Sequence, residues 1–276
     1  YSNQLAPRLL ESGAKPQEVA AIYAERNASL IAAILGVLKA GAAFLIIDPA
    51  YPALRILDQL EAAKAGALIE IVEPDPLISQ FAFRQRFRLW KEPLTPLDTV
   101  SLPSSKPDDL AYLAFTSGSS GKPKAVMGTH GSLTHYPLWI KETFGCTTSD
   151  RFSMLSGLAH DPLLRDIFTP LQLGATLCIP SSQTIATPGQ LARWMNQEKI
   201  TFTNLTPAMG QLLTTTTEHL KLNDLRHAFF VGDKLRGENV SALKKLAPSV
   251  KCVNLYGTTE TQRSLSYCEV AEGEVL

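Results

Sequence analysis

The sequence predicts an α/β protein whose mostly parallel sheets are flanked by helices. Strand-like apolar runs alternate with helix-like stretches along the chain, the order expected of βαβ units. Several runs also end in small or polar residues, at Thr116, Gly232 and Tyr256. Ligands of open α/β sheets bind at the carboxyl ends of strands, so those ends are the first places to look for a site.

Residues 19–23 read as a strand, followed by a helix over 28–39 that Asn27 caps and Gly41 closes. Asn27-Ala28-Ser29 also matches a glycosylation acceptor, but a helix start is the better reading. Residues 43–47 form the next strand, ended by Asp48-Pro49. Tyr51-Pro52 opens a helix running to about 65, and 67–72 is a further strand. Residues 74–109, rich in Pro, Arg and Phe, read as irregular. The apolar run 110–114 is a strand that enters a loop. Beyond it the expected order is helix 132–143, strand 151–155, helix 162–173, strand 176–179, helix 191–197 and strand 201–205. A helix starting at 208–213, a strand over 227–231, a helix over 238–246 and a strand over 250–255 complete it.

With 26 basic and 26 acidic residues the net charge is +0, which argues against a nucleic-acid partner steered by bulk charge. The longest apolar run, 30–38, stops at Lys39 and fits a buried helix rather than a membrane span, so no membrane partner is expected. No signal peptide is visible, and a cytoplasmic chain is expected. The chain begins with Tyr1 rather than Met, which suggests a fragment truncated at both ends, divisible near 100–110 into two α/β subdomains. Cys146, Cys178, Cys252 and Cys268 form no CxxC pair, so neither a zinc site nor a disulfide framework is indicated. Cys178 and Cys252 sit in apolar runs and read as inert core residues.

Residues 115–126, FTSGSSGKPKAV, carry the most chemistry. Gly118 and Gly121 let the backbone approach a ligand closely. The hydroxyls of Thr116, Ser117, Ser119 and Ser120 and successive N–H groups can wrap phosphate oxygens, while Lys122 and Lys124 supply charge around Pro123. A Walker loop needs four residues between its glycines and Ser or Thr after the Lys. Here two residues separate the glycines and Pro123 follows Lys122, so that reading fails. Ser/Gly-rich segments are also linker composition. Two lysines around a proline, directly after a buried strand, favour the phosphate loop.

Four segments together resemble the adenylate-forming, AMP-binding enzymes, in particular nonribosomal peptide synthetase adenylation domains and aminoadipate reductases. They are LKAGAAFLIIDPAYP at 38–52, the phosphate loop, Ala159-His160-Asp161-Pro162, and NLYGTTE at 254–260. The resemblance covers nearly the whole chain and implies the large N-terminal core of such an enzyme, with the C-terminal subdomain absent. It implies ATP-dependent conversion of an amino-acid carboxylate to an acyl-adenylate with release of pyrophosphate. The acyl group would then pass to the phosphopantetheine thiol of a partner carrier-protein domain. An aminoadipate reductase, an acyl-CoA ligase or a non-catalytic nucleotide-binding module are the alternatives. The chain alone is expected to bind ATP weakly and to catalyse poorly. The ribose-binding Asp and the catalytic Lys of the family are expected outside it.

By the same resemblance, Thr116–Lys124 would hold the β/γ-phosphates, Glu260 would ligate Mg²⁺ and Thr259 would contact the α-phosphate. Gly232, Asp233, Asn254, Tyr256, Gly257 and Thr258 would border the nucleotide, with Tyr256 along the adenine. The catalytic set is Thr116, Lys124, Thr259 and Glu260. Ala125 stands where the pattern has Gly, Thr258 where it has Pro, and His160 where the peptide synthetases have Phe.

The implied substrate pocket comprises His160, Asp161, Pro162, Arg165, Ala208, Phe229, Val231, Leu255, Arg263 and Ser264. Asp161 matches the residue that pairs with a substrate ammonium. Two arginines in an apolar pocket suggest a substrate that brings an anion, since an unpaired buried guanidinium is unfavourable. The expected substrate is an acidic amino acid gripped at its α-carboxylate and adenylated at its distal one. The alternative is that Arg165 pairs with Asp166 or another internal acid and the substrate is neutral.

Overall fold

The computed structural model describes residues 1–89, 101–116, 123–215, 220–261 and 264–271. The chain forms two compact units, Tyr1–Leu133 with Leu158–His160, and Thr134–Gly157 with Asp161–Leu276. The division expected near 100–110 falls inside the first unit.

In the first unit the elements are α1 (Ser2–Glu11), β1 (Val19–Tyr23), α2 (Ala28–Lys39), β2 (Ala43–Ile47), α3 (Ala53–Ala63) and β3 (Ala67–Glu70). They are followed by α4 (Pro76–Ser79), β4 (Gln85–Arg88), β5 (Leu110–Thr116) and β6 (Lys124–Thr129). The sheet order is β4-β3-β1-β2-β5-β6, and the pairs are parallel except β5–β6. Every residue of β1, β2 and β3 is buried, so their continuous apolar pattern reports coverage of both sheet faces. Asn27 caps α2 as its sequence suggests, accepting from the Leu30 N–H at 3.0 Å, a contact typically contributing about 1 kcal/mol.

The helices α1 and α4 were absent from the sequence reading, and so were two strands whose stability comes from a neighbour. β4 reads Gln-Arg-Phe-Arg and has no apolar run; it lies beside β3 because Glu70, fully buried, meets Arg86 at 2.6 Å and Arg88 at 3.5 Å. β6 is mostly exposed and forms by antiparallel pairing with β5, where Gly128 admits the ring of Tyr112. A Cβ at position 128 would lie 2.0 Å from that ring. The helix expected over 132–143 starts later, as α5 (His135–Phe144), after a short turn at Gly131–Leu133.

The second unit continues from α5 with β7 (Arg151–Ser153), α6 (Pro162–Leu173), β8 (Thr176–Cys178), α7 (Ser182–Ala186), α8 (Gln190–Gln197) and β9 (Phe202–Leu205). Then come α9 (Pro207–Thr214), β10 (His227–Phe230), α10 (Gly237–Leu246), β11 (Lys251–Tyr256) and β12 (Ser266–Val270). Its sheet order is β12-β11-β10-β9-β7-β8, parallel but for the β11–β12 pair. β12 was not expected from sequence: four of its five residues are exposed, and register with β11 forms it. On one face Phe152, Phe202, His227 and Phe229 stack in sequence with ring centroids 4.8 to 6.1 Å apart, and Phe144 meets Phe229 edge-on.

The thiols of Cys146, Cys178 and Cys252 are buried, as expected for the last two. Burial pushes Cys146 up to about 12 and Cys252 to about 11, so neither is a nucleophile near neutral pH. Among the described residues no helix is long and apolar enough to cross a membrane.

Two predictions follow from buried charge. Arg86→Ala leaves the Glu70 carboxylate poorly compensated and is expected to destabilise the protein by about 3 kcal/mol in urea denaturation. Burial, with Arg226 and Lys251 nearby, lowers His227 from its ordinary 6.5 to about 4. The unfolded chain therefore binds more protons between those values, and stability rises with pH across that window. In His227→Phe that component of the melting temperature against pH should vanish.

Candidate active site

The carboxyl ends of the second sheet gather most of the expected substrate residues. Pro162 is the first residue of α6, where its missing N–H leaves nothing unsatisfied. Asp161 stands at the capping position but makes no side-chain cap. Its Oδ1 instead accepts a hydrogen bond from the Thr259 hydroxyl at 2.7 Å. Two residues singled out by sequence and 98 positions apart thus meet directly. Thr259 and Glu260 lie in a short turn, Thr259–Thr261, that follows β11. Thr258 and Thr261 close it, with the Thr258 N–H donating to the Thr261 hydroxyl at 2.9 Å.

Glu260 is exposed, and Tyr256 is 65% exposed at the end of β11. Phe229, Val231 and Leu255 are buried in one apolar cluster with Tyr136. Ala208 is exposed at the start of α9, whose cap Thr206 accepts from the Met209 N–H at 3.1 Å. Ser264 donates to the Ser266 carbonyl at 3.1 Å. Gly232 ends β10 with φ +94°, a conformation that favours glycine, and Asp233 accepts from the Lys234 N–H. Asn254 is half-buried in β11, and Gly257 follows that strand. Arg263 lies outside the described residues.

Arg165 is the residue on which the two sequence readings of the pocket differ. It is 2% exposed, and its Nε and Nη1 find no hydrogen-bond partner. Its contact is the Tyr136 ring, 5.9 Å from the guanidinium carbon. Asp166 does not neutralise it, because successive helical residues do not face each other. That carboxylate, fully buried, accepts from the Leu155 N–H at 2.9 Å, the Ser156 N–H at 2.8 Å and Asn204 Nδ2 at 2.9 Å. Asn204 and Tyr136 were not singled out by sequence, and Asp166 was named only as a possible partner of Arg165.

In the first unit, Thr116 and Lys124 stand opposite each other in the β5–β6 register. Lys124 is therefore the first residue of a strand rather than part of a loop. Ser117, Gly118, Ser119, Ser120, Gly121 and Lys122 lie outside the described residues. His160 Nε2 is 3.1 Å from the Tyr51 hydroxyl, and Arg55 covers the Tyr51 ring at 4.1 Å.

Asp166 joins α6 to the ends of β7 and β9. Asp166→Ala removes three hydrogen bonds to a charged acceptor and leaves buried donors without it. A loss of about 3 kcal/mol or more is expected in chemical denaturation.

The family profile described as AMP-binding enzyme matches residues 1–274. The chain is 44% identical to L-2-aminoadipate reductase of Schizosaccharomyces pombe over 96% of its own length, which is 21% of that protein. It is also 44% identical to the enzyme of that name from Saccharomyces cerevisiae, over 98% of the chain and 21% of that protein. The chain thus spans about a fifth of the length of these relatives. Its fold superposes on the nonribosomal peptide synthetase FmoA3, bound to α-methyl-L-serine-AMP, with a TM-score of 0.83. That match has 29% identity and covers 98% of this chain and 30% of the other. This chain belongs to the AMP-binding enzyme family.

Proposed function

We propose that the chain activates an acidic amino acid by adenylation, with L-2-aminoadipate the leading substrate. The observation that carries the substrate class is the buried Arg165 guanidinium, whose Nε and Nη1 lack partners. A charge in that position calls for an anion from outside the chain. The 44% identity to proteins named L-2-aminoadipate reductase supports the same reading.

In this reaction a substrate carboxylate oxygen attacks the α-phosphorus of ATP. An acyl–O–P bond forms, the bond to the β-phosphate bridging oxygen breaks, and pyrophosphate leaves. Asp161 pairs with the substrate ammonium and orients the amino acid. Arg165, with Arg263, holds the α-carboxylate, a geometry suited to a planar guanidinium. The distal carboxylate is then the one left to react. Phe229, Val231 and Leu255 exclude water around the substrate stem.

Thr116, the residues 117–122 and Lys124 hold the β/γ-phosphates, and Thr259 contacts the α-phosphate. Catalysis of transfer at phosphorus is mainly positioning and neutralisation of charge. Among the described residues no group of three or more metal-ligating side chains is present. A single exposed carboxylate at Glu260 nevertheless suits Mg²⁺, which commonly binds through one or two carboxylates plus substrate phosphates. When bound, that ion would neutralise phosphate charge. The sulfur of a carrier-domain phosphopantetheine then attacks the acyl carbon, a thioester forms, the acyl–O bond breaks and AMP leaves. Reductive release from that carrier is favoured over peptide bond formation by the closer likeness to the reductases, against 32% identity to tyrocidine synthase 3.

The test is amino-acid-dependent exchange of labelled pyrophosphate into ATP by the full-length natural protein. L-2-Aminoadipate should lead glutamate, aspartate and a panel of neutral amino acids. Arg165→Ala should raise the KM for aminoadipate about tenfold or more. Exchange led by a neutral amino acid would overturn the substrate, and no exchange with any amino acid would overturn the reaction class.

A further inference from the structure

Resting on the adenylation reading, we propose that Thr169 joins Arg165 in a buried receptor for the carboxylate that is not adenylated, making Thr169 a specificity-determining residue. Both lie on α6, four residues apart, and so stand on one face of the helix about one turn from each other. Helical side chains lean toward the helix N-terminus, which brings Thr169 back over the turn that carries Arg165. Each is 2% exposed.

The hydroxyl of Thr169 has no hydrogen-bond partner, like Nε and Nη1 of Arg165. A threonine inside a helix ordinarily donates to the carbonyl four residues back, which here belongs to Arg165. That bond is not made. Buried polar atoms are nearly always paired, and three orphans within one helical turn mark a place completed by something outside the chain. Arginine can only donate, and the threonine hydroxyl has a proton to give. The complement is a planar, charged group that accepts from several donors at once, which describes a carboxylate. The Tyr136 ring adds a cation–π contact to the guanidinium without consuming its N–H groups. Asp166 is engaged by Leu155, Ser156 and Asn204.

The test is calorimetric binding of L-2-aminoadipate and of 5-aminopentanoate, which keeps the ammonium and the distal carboxylate but lacks the α-carboxylate, to the full-length natural protein. Thr169→Val keeps the shape and removes the hydroxyl; Thr169→Ser restores it. The Val variant should bind aminoadipate about tenfold more weakly, the size of one hydrogen bond to a charged partner. Its affinity for 5-aminopentanoate should stay within about twofold, and the Ser variant should recover aminoadipate binding. If Thr169→Val does not fold, Thr169→Ala carries the same expectation. Unchanged aminoadipate affinity, or an equal loss for both ligands, would overturn the role of Thr169. Thr169-dependent binding of the acid with no pyrophosphate exchange would instead overturn the adenylation reading and leave the receptor standing.

Discussion

The arrangement of the second unit depends on one buried carboxylate. Asp166 accepts from two backbone N–H groups beyond β7 and from Asn204 on β9. An ionised acid taken out of water is stable only when such donors replace the lost solvent. Meeting that requirement ties α6 to the sheet at the carboxyl ends of its strands. Asp161, Pro162, Arg165 and Thr169 ride on the same helix, so their positions follow from that attachment. An alanine would release the helix where the chemistry needs it fixed.

The other buried charges show why Arg165 is unusual. Glu70 has Arg86 and Arg88 beside it. Asp150 has Arg226 at 2.7 Å and the Thr147 N–H at 2.7 Å. Although burial works to raise Asp150, its hydrogen bonds from Thr147 and Thr201 and the Arg226 charge hold it below the usual carboxylate range. The protein answers each of these charges internally. Arg165 has a π-face and nothing among the described residues for Nε and Nη1. The contrast is what motivates the receptor proposed at Arg165.

The bond between Thr259 and Asp161 gives the acid a neutral partner. A carboxylate at a strand end needs a donor, and a hydroxyl supplies one without cancelling its charge. Thr259 thus orients the Asp161 side chain and leaves its charge uncancelled, as the ammonium partner proposed for it requires. The αR backbone of Asp161, at φ −57° and ψ −29°, comes with no side-chain cap, which leaves the carboxylate to Thr259.

By itself the sequence determined the central strands β1, β2, β10 and β11, the long helices α2 and α6 and the motifs at strand ends. Apolar runs, caps and glycines are local signals, readable over a few neighbouring residues. Asp161 and Arg165 were legible as candidate site residues because they sit in a recognisable motif. Only the tertiary structure decided β4, β6 and β12, whose residues lack an apolar pattern and which form through ladder partners or a buried Glu70. It alone decided that Arg165 is not paired with Asp166, because the partners of Asp166 lie as far as 38 residues away. It also decided that Thr169 is an orphan rather than a satisfied helical hydroxyl. Hydrogen bonding of a buried polar group depends on whatever packs against it, and that is a property of the assembled fold.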